Sequence, residues 1–324
     1  MKALALFSGG LDSILAAKLL QRQGIDVECI TFETPFFSAD KARAGVFHAA
    51  LPILHVFDIT EDHLTMLRSP RYGYGKNMNP CIDCHTLMLK KAGEFMASVG
   101  AGVLVTGEVL GQRPMSQTRQ SLHIVAKNSG YQDRILRPLS AKLLPVTKME
   151  QEGLVDREQL WDIQGRGRHR QMEAAVEFGI KEYPAPAGGC LLTDAMFSKR
   201  LKELFAHDDF TIPSIHLLKA GRHFRINEGV KVIVGRHHRD NALIERYGKS
   251  SDIVLHTAHF PGPTTLTPGN TSPEELRIAA SLCVLYSDAP KNQPVQVNAF
   301  QDKITLPVIE AQAAEKEQAA QWII

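Results

Sequence analysis

The feature that most constrains the fold is a glycine turn near the N-terminus, Ser8-Gly9-Gly10-Leu11-Asp12-Ser13, called here the SGG turn. It follows a short apolar run typical of a buried parallel strand, and it opens an apolar-periodic helix that ends near Gly24. Glycines let backbone N–H groups approach an anion closely, and the helix N-terminus favours negative charge there. The segment therefore predicts a phosphate cradle. It is not a Walker loop, because the sequence contains no G-x-x-x-x-G-K-[ST].

Short β-rich runs alternate with helical patterns up to about residue 140. Strands are expected at 3–7, 27–32, 53–59 and 103–108, and helices at 12–23, 41–51 and 87–99. This alternation predicts a doubly wound parallel α/β sheet, in which ligands bind beyond the carboxyl ends of the strands. The SGG turn and Thr106-Gly107-Glu108 would then lie at the same edge of the sheet.

A different pattern follows in the second half of the chain. Further strands are expected at 230–235, 253–256 and 295–298, and further helices at 197–205 and after the capping sequence Ser272-Pro273-Glu274-Glu275. These segments predict a smaller α+β domain. We place the domains at residues 1–195 and 196–324, with the tail from Ile309 as a polar helix or a frayed end.

Composition narrows the class of protein. The chain has 324 residues, of which 44% are hydrophobic and 22% charged, and its net charge is +2. No apolar run reaches the ~18 residues of a membrane span, and the N-terminus lacks a signal-peptide pattern. We therefore expect a cytoplasmic protein with no membrane partner. Five cysteines argue against a disulfide framework, and Cys29 and Cys283 read as small buried hydrophobes.

The other three cysteines suggest chemistry. Cys81 and Cys84 form a C-x-x-C sequence near a helix start, and Cys190 ends a Pro/Gly-rich turn. The pattern fits a redox dithiol, a zinc site that includes His85, or a 4Fe-4S cluster held by three thiolates. A chance pair plus a core cysteine is the plain alternative. Spacing alone leaves these interpretations open.

Four motifs together resemble the PP-loop tRNA thiouridine synthetases over about residues 1–195. They are the SGG turn, Asn79-Pro80…Cys84, Thr106-Gly107-Glu108-Val109-Leu110-Gly111-Gln112…Ser116-Gln117 and Gly188-Gly189-Cys190. The third looks most like the tRNA 4-thiouridine synthetase. The second is similar to the tRNA 2-thiouridylase, whose catalytic and partner cysteines would fall on Cys84 and Cys190. The additional Cys81 is similar to the iron–sulfur-dependent members of the group.

The resemblance implies the PP-loop ATP pyrophosphatase fold, with ATP, Mg²⁺ and a 4Fe-4S cluster as cofactors. It implies nucleotide binding by Ser8, Gly9, Gly10, Leu11, Asp12, Ser13, Phe32, Gly107 and Gln112. Asp12, Cys84 and Cys190 would be catalytic, and Cys81, Cys84 and Cys190 would hold the cluster.

A basic segment points to RNA. Residues 219–249 contain eight Lys or Arg against three acids, an excess that can neutralise phosphates. This segment and residues 252–262 resemble the NFACT-R-type RNA-binding module. The expected RNA-binding residues are Arg222, Arg225, Arg236 and Arg239, with a second cluster at Arg166, Arg168 and Arg170.

The resemblance thus implies ATP-dependent thiolation of a tRNA uridine, with 4-thiouridine favoured over 2-thiouridine. The partners would be tRNA and a sulfur donor, either a cysteine desulfurase or free sulfide, and a homodimer is left open. One alternative keeps the adenylation chemistry but uses a small-molecule acceptor. Another is a non-catalytic RNA-binding or redox-sensing protein.

Overall fold

A computed structural model describes residues 1–185 and 189–324. Gly188, the first residue of the expected Gly188-Gly189-Cys190 motif, lies outside the described residues together with Pro186 and Ala187. The chain divides into two compact units, Met1–Thr193 and Asp194–Ile324, called here the N-terminal and the C-terminal unit.

The N-terminal unit is built on a five-stranded parallel sheet. Its strands are β1 (Lys2–Leu6), β2 (Asp26–Glu33), β3 (Leu54–Asp58), β4 (Val103–Thr106) and β5 (Ile135–Leu136). The strand order is β3-β2-β1-β4-β5. The order reverses at β1, so the crevice between β1 and β4 is the topological switch point where such sheets bind ligands. The predicted fold class is confirmed.

Helices cover both faces of this sheet. They are α1 (Leu11–Arg22), α2 (Asp40–His48), α3 (Thr60–Arg68), α4 (Cys81–Met96), α5 (Arg119–Ser129), α6 (Lys148–Gln151) and α7 (His169–Glu177). Alternate residues of β1 enter two different cores, Ala5 with α1 and α7 on one face, and Leu4 with α4 and α5 on the other. This period of two is what a strand buried on both sides requires.

The C-terminal unit is an antiparallel sheet with helices. Its strands are β6 (Arg222–Arg225), β7 (Lys231–Val234), β8 (Ile253–Thr257), β9 (Thr265–Thr267), β10 (Val295–Gln301), β11 (Ile304–Thr305) and β12 (Ile309–Ala311). Its helices are α8 (Ala195–Ala206), α9 (Ile212–Leu217), α10 (His238–Tyr247), α11 (Pro273–Leu285) and α12 (Lys316–Trp322). The sheet order is β11-β10-β8-β9-β7-β6, with β12 paired to β10.

Two local expectations need correction. Helix α4 begins at Cys81 rather than Leu87, so the C-x-x-C sequence forms the first turn of the helix instead of preceding it. The tail from Ile309 is neither a single helix nor a frayed end, because β12 pairs with β10 before α12 forms. Within the described parts of the chain, no helix has the length and apolar character to cross a membrane.

Candidate nucleotide-binding and cysteine site

The SGG turn joins the end of β1 to α1 and is closed by the start of α2. Gly9 has φ +74°, and a Cβ there would lie 1.9 Å from the Lys41 carbonyl oxygen. Only glycine fits both the left-handed backbone and this close approach. Gly10 is the N-cap residue of α1, with no side-chain cap, so the first N–H groups of α1 remain available to an anion.

The loop after β4 packs against the same helix start. A Cβ at Gly107 would lie 2.5 Å from the backbone N of Ser13, so this contact also requires glycine. Five residues further on, Gln112 Nε2 donates a hydrogen bond to Asp12 Oδ2 at 3.1 Å. The structure thus brings Gly107, Gln112 and the SGG turn together at the β1–β4 switch point.

Asp12 carries the site's unusual carboxylate. Its Oδ1 is buried and has no hydrogen-bond partner in the described residues. Burial raises the pKa of Asp12, while the Arg168 guanidinium, Gln112 and Arg113 act in the opposite direction. A buried carboxylate oxygen without a partner can accept a hydrogen bond or bind a cation.

The remaining residues predicted to bind nucleotide differ in accessibility. Ser8 is exposed, and its Oγ lies 3.4 Å from the backbone N of Gly10. Ser13 donates through Oγ to the Gly10 carbonyl at 2.8 Å and shapes the turn. Leu11 and Phe32 are buried, 1% and 3% exposed, and belong to the two cores of the sheet.

Sequence reasoning missed a buried ionic network centred on Glu108. Its Oε1 lies 2.8 Å from His85 Nδ1, and its Oε2 accepts from Arg137 Nε at 2.8 Å. Burial alone would raise the pKa of Glu108, but Arg137 and His85 outweigh it and hold the pKa at about 2. The carboxylate therefore ties the end of β4 to the residue that follows Cys84. The signal in the sequence was the Thr106-Gly107-Glu108 motif.

The three candidate functional cysteines converge. Cys81 opens α4 and accepts from Asn79 Nδ2 at 3.2 Å, and Cys84 lies one turn later. Cys190 is placed by its neighbour Leu191, whose N–H donates to the Phe36 carbonyl beyond β2. Cys84 interacts electrostatically with both Cys81 and Cys190.

Two of these thiols, Cys84 and Cys190, have a raised pKa. Burial raises the pKa of Cys84 well above its usual value, and neighbouring Cys190 and Cys81 raise it further. Burial also raises the pKa of Cys190 to about 11. As the side chains stand in the described residues, no three His, Cys, Asp or Glu groups are close enough to hold a metal ion.

Cys29 and Cys283 have no part in this cluster. Both are fully buried, in β2 and α11 respectively, as predicted from their apolar surroundings. Burial raises the pKa of Cys29 to about 12, and it raises the pKa of Cys283 as well. All five cysteines are free thiols.

Lys41 links the SGG turn to the Cys190 loop. Its carbonyl closes on Gly9, and its Nζ lies 3.5 Å from the position of a Cβ at Gly189. Arg113 interacts electrostatically with both Asp12 and Cys190. The SGG turn and the cysteines therefore belong to one region of the N-terminal unit.

Most of the arginines predicted to bind RNA have protein partners. In the C-terminal unit, Arg225 pairs with Glu203, Arg236 pairs with Asp240 at 2.7 Å, and Arg222 stacks over the Tyr286 ring at 4.4 Å.

The other predicted RNA residues fall into three environments. Arg239 of the C-terminal unit and Arg166 of the N-terminal unit are exposed. Arg170 pairs with Asp162 at 2.6 Å. Arg168 is partly buried and interacts electrostatically with Asp12.

Comparisons with known families agree with both parts of the sequence interpretation. Residues 1–143 match the family described as Thiamine biosynthesis protein (ThiI). Residues 221–323 match the NFACT protein RNA binding domain. The predicted resemblance to both families is confirmed.

Curated relatives resemble the N-terminal part. A probable tRNA sulfurtransferase of Caldanaerobacter subterraneus subsp. tengcongensis is 32% identical over 146 residues, which is 43% of this chain and 36% of that protein. A probable tRNA sulfurtransferase of Staphylococcus aureus is 31% identical over 148 residues, 43% of this chain and 34% of that protein. The chain therefore spans about a third of the length of these relatives.

Solved structures resemble the chain more distantly. A 4-thiouridine synthetase in complex with RNA and ATP aligns at TM-score 0.39 and 19% identity, over 67% of this chain and 52% of that one. The C-terminal part of a fibronectin/fibrinogen-binding protein from Streptococcus suis aligns at TM-score 0.30 and 12% identity, over 75% of this chain and all of that one.

Proposed function

We propose that this protein is an ATP-dependent tRNA sulfurtransferase, which adenylates a tRNA uridine and replaces its carbonyl oxygen with sulfur. The observation that carries the proposal is the link between phosphate cradle and thiols: Lys41 closes on Gly9 and also reaches the glycine beside Cys190. An adenylating sulfurtransferase needs activation and sulfur delivery at one carbon atom. The probable tRNA sulfurtransferases similar to the N-terminal part support the same reaction.

Adenylation is the first step. The ATP phosphates would lie on the N–H groups of the SGG turn and the first turn of α1, where the helix dipole favours negative charge. The uridine carbonyl oxygen attacks the α-phosphorus, the bond from that phosphorus to the bridging oxygen breaks, and pyrophosphate leaves with the electron pair. Asp12 would hold Mg²⁺ through Oδ1, which has no partner in the described part of the chain. Such a cation neutralises charge on the leaving pyrophosphate.

Sulfur replaces AMP in the second step. Hydrosulfide, or the terminal sulfur of a persulfide on Cys84 or Cys190, attacks the activated ring carbon. The carbon–oxygen bond breaks and AMP leaves. On the hydrosulfide route, loss of a proton then gives the thiocarbonyl. On the persulfide route, the nucleoside is first joined to the cysteine through an S–S bond; the thiol of the other cysteine attacks the enzyme sulfur of that bond, the S–S bond breaks, the thiocarbonyl is released, and the Cys84–Cys190 disulfide that forms is reduced by an external dithiol. The donor would be free sulfide or a cysteine desulfurase. The third motif of the sequence favours 4-thiouridine over 2-thiouridine as the product.

The sulfur atoms of Cys81, Cys84 and Cys190 are also the type of ligand that a 4Fe-4S cluster requires. Each lies within electrostatic range of another, and without a cation the pKa of Cys84 and of Cys190 is raised. Three thiolates in this arrangement need a compensating positive charge, which a cluster provides. Cys81, Cys84 and Cys190 would hold it, and its chemistry would be to bind sulfide at the iron without a protein ligand.

The C-terminal unit would bind the tRNA. Its match to the NFACT protein RNA binding domain supports this assignment. Arg239 on α10 is exposed and has no ion pair within the described residues. It is therefore the arginine of this unit best placed to meet a phosphate, while Arg225 and Arg236 would first have to leave their carboxylate partners.

The test is nucleoside mass spectrometry of unmodified tRNA after anaerobic incubation with iron-reconstituted protein, ATP, Mg²⁺ and sulfide. A 4-thiouridine peak supports the proposal in full, and a 2-thiouridine peak keeps the reaction but changes the atom. Asp12→Asn should abolish both. Pyrophosphate release without a thionucleoside, when a small acceptor replaces tRNA, would favour the small-molecule alternative.

Single serine substitutions separate the two sulfur routes. A cluster requires Cys81, Cys84 and Cys190 alike, whereas a persulfide route leaves Cys81→Ser active. Cys283→Ser is the matched control, because Cys283 is a buried cysteine that belongs to the C-terminal unit. Loss of activity in the control as well would show that serine substitution damages the fold rather than the chemistry.

A further inference from the structure

Helix α7 runs beside α1 in the same direction, and this brings its first residues to the SGG turn. At the C-terminal ends, Arg22 Nη1 lies 2.7 Å from Glu177 Oε1. At the N-terminal ends, Arg168 and Gln171 act on the Asp12 carboxylate. Asp12 to Arg22 and Arg168 to Glu177 each span about 14–15 Å at ~1.5 Å per residue, so the two helices start at the same level.

Polar groups at this junction lack partners. Of the ten buried side-chain N or O atoms without a hydrogen bond in the described residues, four lie here: Asp12 Oδ1, Arg168 Nε and both amide atoms of Gln171. Gln171 is 0% exposed, and its amide lies near Asp12 without reaching hydrogen-bond geometry. Buried polar groups are normally paired, so this concentration of unpaired ones indicates a bound ligand.

The charges around the junction identify the ligand class. Arg168 and Arg113 both interact electrostatically with the single carboxylate of Asp12, and neither has an ion pair in the part of the chain that the structure describes. The backbone carbonyl of Lys41 closes on Gly9 from α2, while the Lys41 ammonium lies beside Gly189. Two guanidinium groups against one carboxylate leave a net positive charge, which suits an anion with several charges.

We propose that Arg168 binds a phosphate of ATP, with Arg113 beside it, and so belongs to the nucleotide site and not to the RNA-binding surface. The proposal rests on the proposed function, which supplies ATP as the ligand. A guanidinium donates two parallel hydrogen bonds to phosphate oxygens. Arg168 would complete the phosphate cradle from the side opposite the SGG turn, and Gln171 would orient Asp12.

Arg166 and Arg170, the neighbours of Arg168 in the sequence, differ from it in exposure and pairing. Arg166 is exposed, and Arg170 is exposed and paired with Asp162. Arg168 alone of the three is partly buried and interacts electrostatically with Asp12. A surface that binds RNA through this segment would use Arg166 at least as well as Arg168, which makes the two a matched pair.

The experiment compares Arg168→Ala and Arg166→Ala in the full chain. Binding of the α,β-methylene analogue of ATP with Mg²⁺ is measured by equilibrium dialysis, and binding of tRNA by filter retention. Arg168→Ala should weaken analogue binding about 10- to 100-fold, the range for hydrogen bonds to charged groups, and leave tRNA affinity unchanged. Arg166→Ala should leave analogue affinity unchanged. Arg168→Lys should fall between wild type and Arg168→Ala, because lysine keeps the charge but loses the planar fork.

A second variant covers the case in which Arg168→Ala fails to fold. Arg113 is exposed, so Arg113→Ala should fold normally and weaken analogue binding about 3- to 10-fold. Unchanged analogue affinity in both variants, or weakened tRNA binding with intact analogue binding in Arg168→Ala, would overturn the assignment of Arg168. Wild-type protein that binds no analogue would instead overturn the proposed function, and the assignment with it.

Discussion

The two units use their cations differently. In the N-terminal unit, Lys41, Arg113 and Arg168 lie near the SGG turn, and none of them forms an ion pair within the described residues. In the C-terminal unit, Glu203 alone pairs with both Arg225 and Lys231. The same residue types thus stay without ion pairs near the SGG turn in one unit and pair with carboxylates in the other.

This difference changes how the sequence should be interpreted. The excess of positive charge over residues 219–249 was the sequence reason to expect RNA contacts. Part of it is compensated by acids from outside the segment, because Glu203 on α8 pairs with Arg225 and Lys231, and Asp209 pairs with Lys249. Charge counted along a segment overstates the charge available to a ligand, because pairing depends on the fold.

The largest expected effect comes from the buried Glu108 network. Glu108→Gln leaves the Arg137 guanidinium, 8% exposed, without its carboxylate. Removing one partner of a buried pair should lower the free energy of unfolding by about 3–5 kcal/mol. Urea denaturation measures this. Glu158→Gln, which removes an 86% exposed partner of Lys142, is the control and should change the unfolding free energy by less than ~1 kcal/mol.

Glu108→Gln should also change how the stability of the protein depends on pH in the acid range. Because folding lowers the pKa of Glu108 from 4.5 to about 2, its contribution to stability is present above pH 4.5 and is lost as the pH falls toward 2. Wild-type stability should therefore decline more steeply over this range than that of Glu108→Gln. Parallel pH profiles would show that Glu108 does not carry a lowered pKa.

Gly9→Ala should have the next largest effect on stability. The substitution adds left-handed strain and sets a Cβ 1.9 Å from the Lys41 carbonyl, a combined cost of about 2–4 kcal/mol. Because the turn must open to relieve this clash, binding of the ATP analogue should be lost. Gly24→Ala is the matched control, with φ +74° but no atom within 4 Å, and should cost only about 1–2 kcal/mol and leave analogue binding intact.

Local sequence patterns made the fold predictable, whereas features that depend on long-range contacts could not be predicted. The β/α alternation of residues 1–140 and the SGG turn are local, so the fold class and the phosphate cradle followed from them. The two-residue strand β5 is too short to give a periodic signal. The sequence placed the start of helix α4 at Leu87, whereas the helix begins at Cys81 and includes the C-x-x-C sequence.

The site was less predictable for the same reason. Arg168 meets Asp12 only because α7 returns to α1 more than 150 residues later along the chain, and no pattern within the basic cluster indicates this. Arg137 reaches Glu108 from the neighbouring strand β5, through a pairing that depends on strand order. Residue types therefore suggested the chemistry, while topology decided which side chains meet.

Glu203→Gln would make the C-terminal unit resemble the N-terminal unit in having cations without a carboxylate partner. Loss of the carboxylate leaves Arg225 and Lys231 unpaired, which should cost about 1.5–3 kcal/mol of stability as hydrogen bonds to charged groups are lost. The freed cations should strengthen tRNA binding a few-fold and steepen its salt dependence. Glu228→Gln, at an exposed acid of the same segment, is the control. Unchanged tRNA binding with reduced stability would place this cluster away from the RNA.

The smallest effect concerns two neighbouring arginines of the C-terminal unit. Arg239 is exposed and free of ion pairs within the described residues, whereas Arg236 Nε donates to Asp240 at 2.7 Å. Arg239→Ala should weaken tRNA binding a few-fold and reduce the slope of log K against log salt by about 1, as loss of one phosphate contact requires. Arg236→Ala should reduce stability more than RNA affinity, because Asp240 is 2% exposed and would lose its partner. Equal loss of affinity in both variants would mean that the Arg236–Asp240 pair opens on the RNA. Pairing in the free protein would then be a poor guide to which arginines bind, and the contrast between the two units would lie in the nucleotide site alone.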